Sequence, residues 1–378
     1  MHPGVVSPFA VVTLQTLATD YATWLGVDLV IDQAGEEHVL GVNFDDFHRF
    51  FYAGCPQLCQ QSGRWLVGVP DSTSYCCDAN QGVALTSTGF TVLVEINRSI
   101  QLKACPGDCF KPSSWTESTP FPSGSLGYFP RHSHPLTVDS AGTLHLVYHL
   151  AQGGALWYAE CAAACGDSAS WQRLEIDPDS ASGSLVADAA IATRHGQVRV
   201  IGTTFNGGVE YLACPGGCLA AASWSSTVID TTKAQSPSLV WGSDSVLRVA
   251  YVGTSATRFA TCANRCDTAA NWSAVTIAPY QSDVSLALDS ANRPWLAAAG
   301  GNFNDGAVTL LHCEGDCTQS PSWVTQPVDS VTGWGWISLA MDAAGQPHMA
   351  VSGLRVQYVQ LRDTTLAPSE WCATRCSH

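Results

Sequence analysis

Residues 156–171 of the chain read LWYAECAAACGDSASW, and this pattern returns along most of the sequence. An aromatic or aliphatic residue stands three positions before a Cys-x3-Cys pair, and a tryptophan follows it thirteen positions later. Self-similarity at a fixed period indicates a repeat architecture in which each copy is one supersecondary unit. The copies begin at Tyr52, Leu102, Tyr158, Tyr211, Phe259, Leu310 and Tyr358, and the last copy carries Leu361 and Thr365 at its cysteine positions.

The spacing of the copies and the strand content of each copy predict the fold. Successive copies are separated by 50, 56, 53, 48, 51 and 48 residues. One copy carries four strand signals, over residues 136–138, 144–148, 156–160 and 171–176. Four antiparallel strands in about 50 residues, repeated seven times without helical periodicity, are typical of a seven-bladed β-propeller. We therefore expect an all-β fold of one propeller domain over residues 1–378, with the repeated tryptophans packed in the blade cores.

The two ends of the sequence predict how the ring closes. The last copy supplies three strands, but only seven residues follow Trp371. The apolar segment Phe9–Leu14 belongs to no copy of its own. We expect this N-terminal segment to add the outer strand of the last blade, because closure removes the open edges of a linear array of sheets.

The cysteines indicate the compartment. Fourteen of the sixteen fall in Cys-x3-Cys pairs, and a zinc ribbon would need two such pairs to converge on one ion, whereas these recur about fifty residues apart. One short disulfide in each repeat is the simpler interpretation, and it predicts a secreted, periplasmic or cell-surface protein, seen here as a chain without its leader. Adjacent Cys76 and Cys77 are expected to form a structural disulfide, either with each other or with Cys372 and Cys376, rather than a thiolate site.

Charge and hydropathy exclude two classes of partner. The chain has 17 Lys+Arg against 32 Asp+Glu, a net charge of −15, and no basic stripe. Nucleic acid is therefore excluded as a partner, because phosphate contacts need clustered basic side chains. No stretch reaches the roughly 18 apolar residues of a membrane span, and we expect a soluble monomer.

A second motif carries a resemblance. The pattern Asp-x-x-Gly-x-x-His occurs at Asp32, Asp139 and Asp342, with His38, His145 and His348 six residues on. With the Cys-x3-Cys and tryptophan staple, it resembles the repeats of secreted bacterial β-propeller proteins and, more loosely, the Asp-box hairpins of sialidase-like propellers. The Asp-box consensus proper and an arginine triad are absent, so the resemblance implies architecture and not sialidase activity. We expect each histidine to clamp its turn through a hydrogen bond to the aspartate.

Histidines mark one candidate site. His132 and His134 precede the first strand of the third blade, and His149 ends the neighbouring strand. If Pro135 pairs with His149, His134 and His149 lie on the same rim of the channel. Three imidazoles there predict a ligand pocket or a site for one transition metal ion, Zn²⁺ or Cu²⁺. Cys76 and Cys77 should lie on the same rim, as soft ligands when reduced or an apolar plate when bonded.

Carboxylates and aromatic residues complete the predicted rim. Asp188, Asp283 and Glu95 are candidates for a general base or for calcium ligands, although most such acids are expected to be solvated. Rim aromatics would suit stacking on a sugar face or a peptide side chain. These are Trp334, Trp336, Tyr280 and Phe205.

Three functions fit these residues. The first is an exported propeller that binds a small ligand, a carbohydrate or a peptide, at the rim lined by the three histidines. The second is a metal-dependent enzyme, a hydrolase, lyase or oxygenase, that uses those histidines. The third is an interaction-bearing surface protein without a pocket. The metal content of the purified protein distinguishes the ligand-binding propeller from the metal-dependent enzyme.

Overall fold

Short strands fill most of the chain that the computed structural model describes. The described residues are 8–16, 23–44, 50–71, 81–86, 89–96, 99–119, 121, 134–149, 155–177, 186–204, 208–300, 307–328, 335–353 and 355–361. In this part of the chain, no helix has the length and apolar character needed to cross a membrane.

The strands form seven antiparallel sheets of four strands each. The first sheet consists of β2 (Thr23–Ile31), β3 (Glu37–Phe44), β4 (Phe50–Cys55) and β5 (Leu66–Asp71). The second consists of β6 (Gln81–Thr86), β7 (Gly89–Ile96), β8 (Ser99–Cys105) and β9 (Thr116–Ser118). The third consists of β10 (Leu136–Val138), β11 (Leu144–His149), β12 (Leu156–Cys161) and β13 (Gln172–Asp177). The fourth and fifth consist of β14 (Val186–Arg194), β15 (Gln197–Thr204), β16 (Val209–Cys214) and β17 (Ser225–Asp230); and β18 (Ala234–Trp241), β19 (Leu247–Gly253), β20 (Ala256–Cys262) and β21 (Ser273–Pro279). The sixth consists of β22 (Asp283–Leu288), β23 (Pro294–Gly300), β24 (Ala307–Cys313) and β25 (Trp323–Val328), and the seventh of β26 (Ile337–Met341), β27 (Pro347–Ser352), β28 (Arg355–Leu361) and β1 (Phe9–Thr16).

The seven sheets close into a ring. The first strand of every sheet contacts the first strand of the next, and β26 of the seventh sheet contacts β2 of the first. These strands therefore surround a central channel, and the predicted seven-bladed β-propeller is confirmed.

The N-terminal strand closes the ring as expected. Strand β1 runs antiparallel to β28, with Phe9 paired with Leu361 and Val12 with Tyr358. Phe9 and Val12 are buried, and Val12 packs with Val27 and Leu29 of the first sheet. The beginning of the chain is thereby fixed to its other end and to the next blade.

One disulfide fixes each of the first six sheets at its outer hairpin. The bonded pairs are Cys55–Cys59, Cys105–Cys109, Cys161–Cys165, Cys214–Cys218, Cys262–Cys266 and Cys313–Cys317. Six residues after each second cysteine, the tryptophan donates its indole N–H to that cysteine's carbonyl oxygen, at 2.7 to 3.1 Å. The expected pairing is confirmed for these sheets, while Cys76, Cys77, Cys372, Cys376 and Trp371 lie outside the described residues.

The indole rings lie between sheets rather than inside one. Trp224 packs on Tyr158 of the preceding sheet, with ring centroids 5.3 Å apart, and Trp65 of the first sheet packs on Tyr358 of the seventh at 4.8 Å. The same contact joins Trp115 to Tyr52, Trp272 to Tyr211 and Trp323 to Phe259. The residues that begin and end the sequence repeat are thus the two halves of one interface between blades.

The three Asp-x-x-Gly-x-x-His hairpins share one hydrogen-bonding scheme. In the first, Asp32 Oδ1 accepts the backbone N–H groups of Ala34 and Glu36, and His38 Nδ1 is hydrogen-bonded to the Tyr52 hydroxyl at 2.7 Å. His38 Nε2 faces Asp32 Oδ2 at 3.6 Å, which is an ion-pair distance rather than the expected hydrogen bond. The other two histidines have the same partners: His145 with Tyr158 and Asp139, and His348 with Tyr358 and Asp342.

A belt of serines joins consecutive first strands. Ser238, Ser285 and Ser338 each lie four residues before the hairpin of their sheet, and each is buried. Their hydroxyl oxygens accept the backbone N–H groups of Leu286, Leu339 and Leu29 in the following sheet, all at 3.0 Å. Each bond satisfies a buried donor that no strand of its own sheet pairs, so the belt holds neighbouring blades in register.

Replacing one serine of the belt tests this role. We expect Ser285→Ala to lower the free energy of unfolding by about 1–3 kcal/mol, because the Leu339 N–H is left buried without an acceptor. The measurement is the midpoint of chemical unfolding with disulfides intact. Ser290→Ala, at an exposed hairpin position, is the control, and equal midpoints for the two variants would contradict the role.

Replacing one side chain of the closing strand tests the closure. Val12→Asp should lower the free energy of unfolding by roughly 3 kcal/mol or more, because it buries an unpaired carboxylate between the first and last sheets. Thr13→Asp places the same charge on the exposed side of the strand and should change little. Equal thermal unfolding midpoints for Val12→Asp and Thr13→Asp would contradict the assignment of β1 as a structural strand.

Candidate functional site

His134 stands at one end of the channel, immediately before the inner strand of the third sheet. Its carbonyl oxygen accepts the Ile191 N–H of the fourth sheet at 3.1 Å, so its backbone is fixed between two blades. Its side chain keeps 38% of its surface exposed. His134 is therefore positioned to meet a ligand that enters the channel from this end.

Asp28 of the first sheet faces His134. Its Oδ1 lies 3.8 Å from His134 Nδ1, too far for a hydrogen bond. Its Oδ2 is buried and has no hydrogen-bond partner among the described residues. Asp28 holds the position that serines occupy in the fifth, sixth and seventh sheets, four residues before the hairpin. In those three sheets the residue at this position bonds to the next blade. In the first sheet it is a carboxyl group, and one of its oxygens has no hydrogen-bond partner among the described residues.

The second sheet lies between these two residues in the ring, and a glycine lets them approach. A Cβ atom on Gly82 would lie 2.8 Å from the Leu136 Cβ, so only glycine fits between β6 and β10 without a shift. Strand β6 contacts β2 of the first sheet on one side and β10 of the third sheet on the other. An aspartate of the first sheet and a histidine of the third sheet thereby lie together across the inner strand of the second sheet.

Both groups have altered proton affinities. Burial raises the pKa of Asp28 to about 7, and the negative charge of Asp283 adds to the rise. Burial also lowers the pKa of His134, against the opposing effect of Asp283. Near neutral pH the pair therefore consists of a partly protonated carboxyl group and a neutral imidazole. Such a pair offers hydrogen-bond donors and acceptors with little net charge.

Asp188 and Asp283, the candidates for a general base or calcium ligands among acids expected to be mostly solvated, are buried, and each accepts a hydrogen bond from the backbone. Asp188 Oδ2 accepts the Ser236 N–H at 2.8 Å, and Asp283 Oδ2 accepts the Ile337 N–H at 2.9 Å. Each carboxylate thus reaches from one sheet to the inner strand of the next. The expectation that they are solvated is wrong, and these contacts support an assembly role at the same end of the channel.

Tyr280 presents an aromatic surface on the loop between the fifth and sixth sheets. Its side chain is 49% exposed, and its hydroxyl accepts a hydrogen bond from Gln235 Nε2 at 3.3 Å. The same amide also lies 3.4 Å from the Ser282 carbonyl oxygen. Gln281 beside it has a buried side-chain oxygen without a hydrogen-bond partner in the described part of the chain. An open ring flanked by amides suits a polar ligand with one apolar face.

The remaining predicted residues divide into three groups. Trp336 is partly buried and packs against the core of the first sheet, so it supports the ring rather than opening to solvent. His149 and Glu95 lie in β11 and β7, where the structure describes only their backbone. His132, Trp334, Phe205, Cys76 and Cys77 lie outside the described residues.

The register expected for the third sheet is corrected by two residues. Pro135 accepts the Val147 N–H at 2.9 Å instead of pairing with His149, and Thr137 pairs with His145. The turn is tighter than expected because Asp139 Oδ1 accepts the backbone N–H groups of Ala141 and Thr143.

Sequence reasoning missed Asp28, although a signal was present. Aligning the sheets on their hairpins places Asp28 in one column with Ser238, Ser285 and Ser338. A single charged residue in a column of buried serines marks a departure from the repeat. Its contact with His134 depends on the ring geometry and is not visible in any one repeat.

Solved structures with similar folds cover nearly the whole chain. A protein of unknown function from Dyadobacter fermentans matches with a TM-score of 0.52 and 11% identity over 95% of this chain and all of that one. The NanB sialidase K499G mutant from Streptococcus pneumoniae has a TM-score of 0.50 and 12% identity, over 93% of this chain and 70% of the sialidase. A fungal alcohol oxidase in complex with copper has a TM-score of 0.54 and 9% identity, over 97% of this chain and 78% of the oxidase. At these identities the likeness concerns the fold alone.

Comparisons of sequence give no relative. No family model matches the chain, and no curated protein matches it. The resemblance to sialidase-like propellers is thus confirmed in architecture, and the site must be interpreted from its own residues.

The raised pKa of Asp28 predicts a pH-dependent effect of neutralising it. The folded state binds this proton more tightly than the unfolded chain, so the contribution of Asp28 to stability is full below about pH 4 and falls as pH rises towards 7. Relative to wild type, Asp28→Asn should therefore gain free energy of unfolding between pH 4 and pH 8, by up to roughly 4 kcal/mol. Chemical unfolding across this range measures the difference.

An exposed carboxylate supplies the control for that measurement. Hydrogen bonds from Thr318 hold the pKa of Asp316 below its usual value, so Asp316→Asn should not produce a gain with rising pH. If the free energies of unfolding of the wild type and Asp28→Asn differ by the same amount at every pH from 4 to 8, the pKa of Asp28 is not raised.

Proposed function

We propose that the chain is an exported propeller that binds a carbohydrate at the end of the channel where Asp28 and His134 face each other. The observation that carries the proposal is the buried Asp28 carboxyl group, whose Oδ2 has no hydrogen-bond partner among the described residues and whose Oδ1 faces a partly exposed imidazole. A buried polar atom without a partner is destabilising, and a ligand hydroxyl that supplies the missing bond would be favoured.

The chemistry of this end suits hydroxyl groups. Asp28 and His134 together can donate to and accept from neighbouring sugar hydroxyls. Tyr280, which precedes the inner strand of the sixth sheet and so lies at the same end of the ring, supplies an exposed aromatic face. Sugars pack their C–H faces on such rings while their hydroxyls bond to side chains around them.

Charge narrows the class of carbohydrate. The chain has a net charge of −15, and Asp28, Asp188 and Asp283 all lie near this end of the channel. An acidic sugar would meet this negative field at a disadvantage, whereas a neutral one would not. A neutral mono- or oligosaccharide is therefore the proposed ligand, although one of the similar structures is named a sialidase. The short disulfides support export, because they persist in oxidising compartments.

Screening against a panel of neutral, acidic and amino sugars tests the proposal. The probe that binds is then titrated calorimetrically into the wild type and two variants. His134→Ala and Tyr280→Ala should each weaken binding about tenfold, since each removes a hydrogen bond or a stacking face worth roughly 1.4 kcal/mol. Leu66→Ala is the matched control, because Leu66 is 59% exposed but lies on an outer strand at the other end of its sheet.

Two results would contradict the proposal. The first is a sugar whose affinity is the same for His134→Ala, Tyr280→Ala and Leu66→Ala. The second is a panel without any binding sugar while basic peptides bind and lose affinity on His134→Ala, which would assign the same site to a peptide.

The second candidate function is an enzyme. The observation that favours it is the placement of a carboxyl group and an imidazole 3.8 Å apart in a channel, as in many acid–base pairs. Its metal-dependent form would use His132, His134 and His149 to hold Zn²⁺ or Cu²⁺. Turnover of the bound sugar, with a metal that is lost on His134→Ala, would favour the enzyme over the binding protein.

A further inference from the structure

The hairpin of the first sheet differs from its two counterparts in charge four residues after the aspartate. All three hairpins carry an aspartate, and a histidine six residues later. Four residues after the aspartate, the third sheet has Thr143 and the seventh has Gln346, but the first has Glu36. At this position the first hairpin alone therefore has a carboxylate of its own, whereas in the seventh sheet the second carboxylate beside the histidine comes from the first sheet, with Glu37 Oε1 3.0 Å from His348 Nδ1.

The three side chains of the first hairpin converge on one point. Potential ligand atoms of Asp32, Glu36 and His38 all lie within 4.8 Å of one another. In the described part of the chain, no other three His, Cys, Asp or Glu residues are so close together. His134 and Asp28 belong to no such group there, so this convergence is separate from the channel site.

The histidine of this group is buried and has a free nitrogen. His38 is 5% exposed, and its Nε2 has no hydrogen-bond partner among the described residues. This nitrogen points at Asp32 Oδ2, 3.6 Å away. An imidazole nitrogen without a hydrogen-bond partner, beside two carboxylates, is the arrangement of a metal ligand.

The surrounding residues hold these groups in place. His38 Nδ1 is hydrogen-bonded to the Tyr52 hydroxyl at 2.7 Å, and the Phe90 ring packs on the imidazole with centroids 4.4 Å apart. Asp32 Oδ1 is occupied by the Ala34 and Glu36 N–H groups, which leaves Oδ2 to face the histidine. Such outer contacts fix the ring and tautomer of metal-binding histidines.

We propose that Asp32, Glu36 and His38 form a binding site for a divalent transition metal ion, with Zn²⁺ the best fit. One imidazole nitrogen and two carboxylate oxygens are ligands that Zn²⁺ accepts, and ligands about 2.0–2.2 Å from a tetrahedral ion lie roughly 3.3 Å apart. The 3.6 Å between His38 Nε2 and Asp32 Oδ2 therefore needs a movement of only a few tenths of an ångström, and the Glu36 carboxylate, within 4.8 Å of both, needs a movement of up to about 1.5 Å. Three protein ligands leave a fourth position open to solvent, because Glu36 is exposed.

This site lies beyond the proposed carbohydrate function. It stands at the hairpin between the first two strands of the sheet, whereas His134 precedes a first strand. The two sites therefore occupy opposite ends of the ring, and either can fail without the other.

Zinc titration of the chelator-treated full chain, followed by calorimetry and by metal analysis, tests the site. The wild type should bind one Zn²⁺ in each chain. Glu36→Gln, which alters an exposed side chain and copies the amide of the seventh sheet, should weaken binding at least about tenfold. The matched control is Glu314→Gln, since Glu314 is exposed and pairs with His312 at 3.0 Å without a third ligand. It should bind zinc as the wild type does.

A gain-of-site variant sharpens the test. Thr143→Glu completes the same trio beside Asp139 and His145 and should raise the zinc content to two in each chain. A stoichiometry of one for Thr143→Glu would overturn the three-ligand assignment. Wild-type affinity in Glu36→Gln, or zinc that is lost on His134→Ala instead, would overturn the site itself.

Discussion

In the first six sheets, whose tryptophans the structure describes, an indole ring with two partners holds each sheet to the one before it. Its N–H bonds to a carbonyl inside the disulfide loop of its own sheet, as Trp224 bonds to Cys218 at 2.8 Å. Its ring then packs on the aromatic residue that starts the preceding repeat, as on Tyr158. The short disulfide therefore acts mainly by fixing the loop that orients the indole, because closing so small a loop constrains the unfolded chain little.

This coupling explains why the repeat is so easily recognised in the sequence. A residue that contacts only its own strand can vary, but the cysteines and the tryptophan must keep their spacing for the ring to meet the next blade. The thirteen-residue spacing from the apolar residue to the tryptophan occurs in seven copies, so the number of sheets and the order of their strands followed from local signals. The role of β1 also followed, because a ring tolerates no missing strand where Trp65 meets Tyr358.

Features that depend on single atoms could not be predicted in the same way. The hairpin register in the third sheet was misjudged because the Asp139 carboxylate tightens the turn, and the pattern of apolar residues does not reveal this. Asp188 and Asp283 looked like solvated acids, yet each accepts a backbone N–H from the next blade. The contact between Asp28 and His134 joins the first and third sheets across Gly82, which is a product of curvature rather than of spacing.

The departures from the repeat have a common physical character. In the fifth, sixth and seventh sheets a serine satisfies the backbone of the neighbouring sheet, whereas Asp28 at the same position of the first sheet has a buried carboxyl oxygen without a partner among the described residues. At the opposite end, Glu36 adds a carboxylate beside an unpaired imidazole nitrogen where the equivalent hairpins have neutral residues. Each change destabilises the propeller when no ligand is bound. Asp28 is a buried carboxyl group without an internal partner, and Glu36 adds negative charge beside Asp32. A ring of seven sheets can bear such local losses, and a bound sugar or cation would offset each of them by supplying the missing partner.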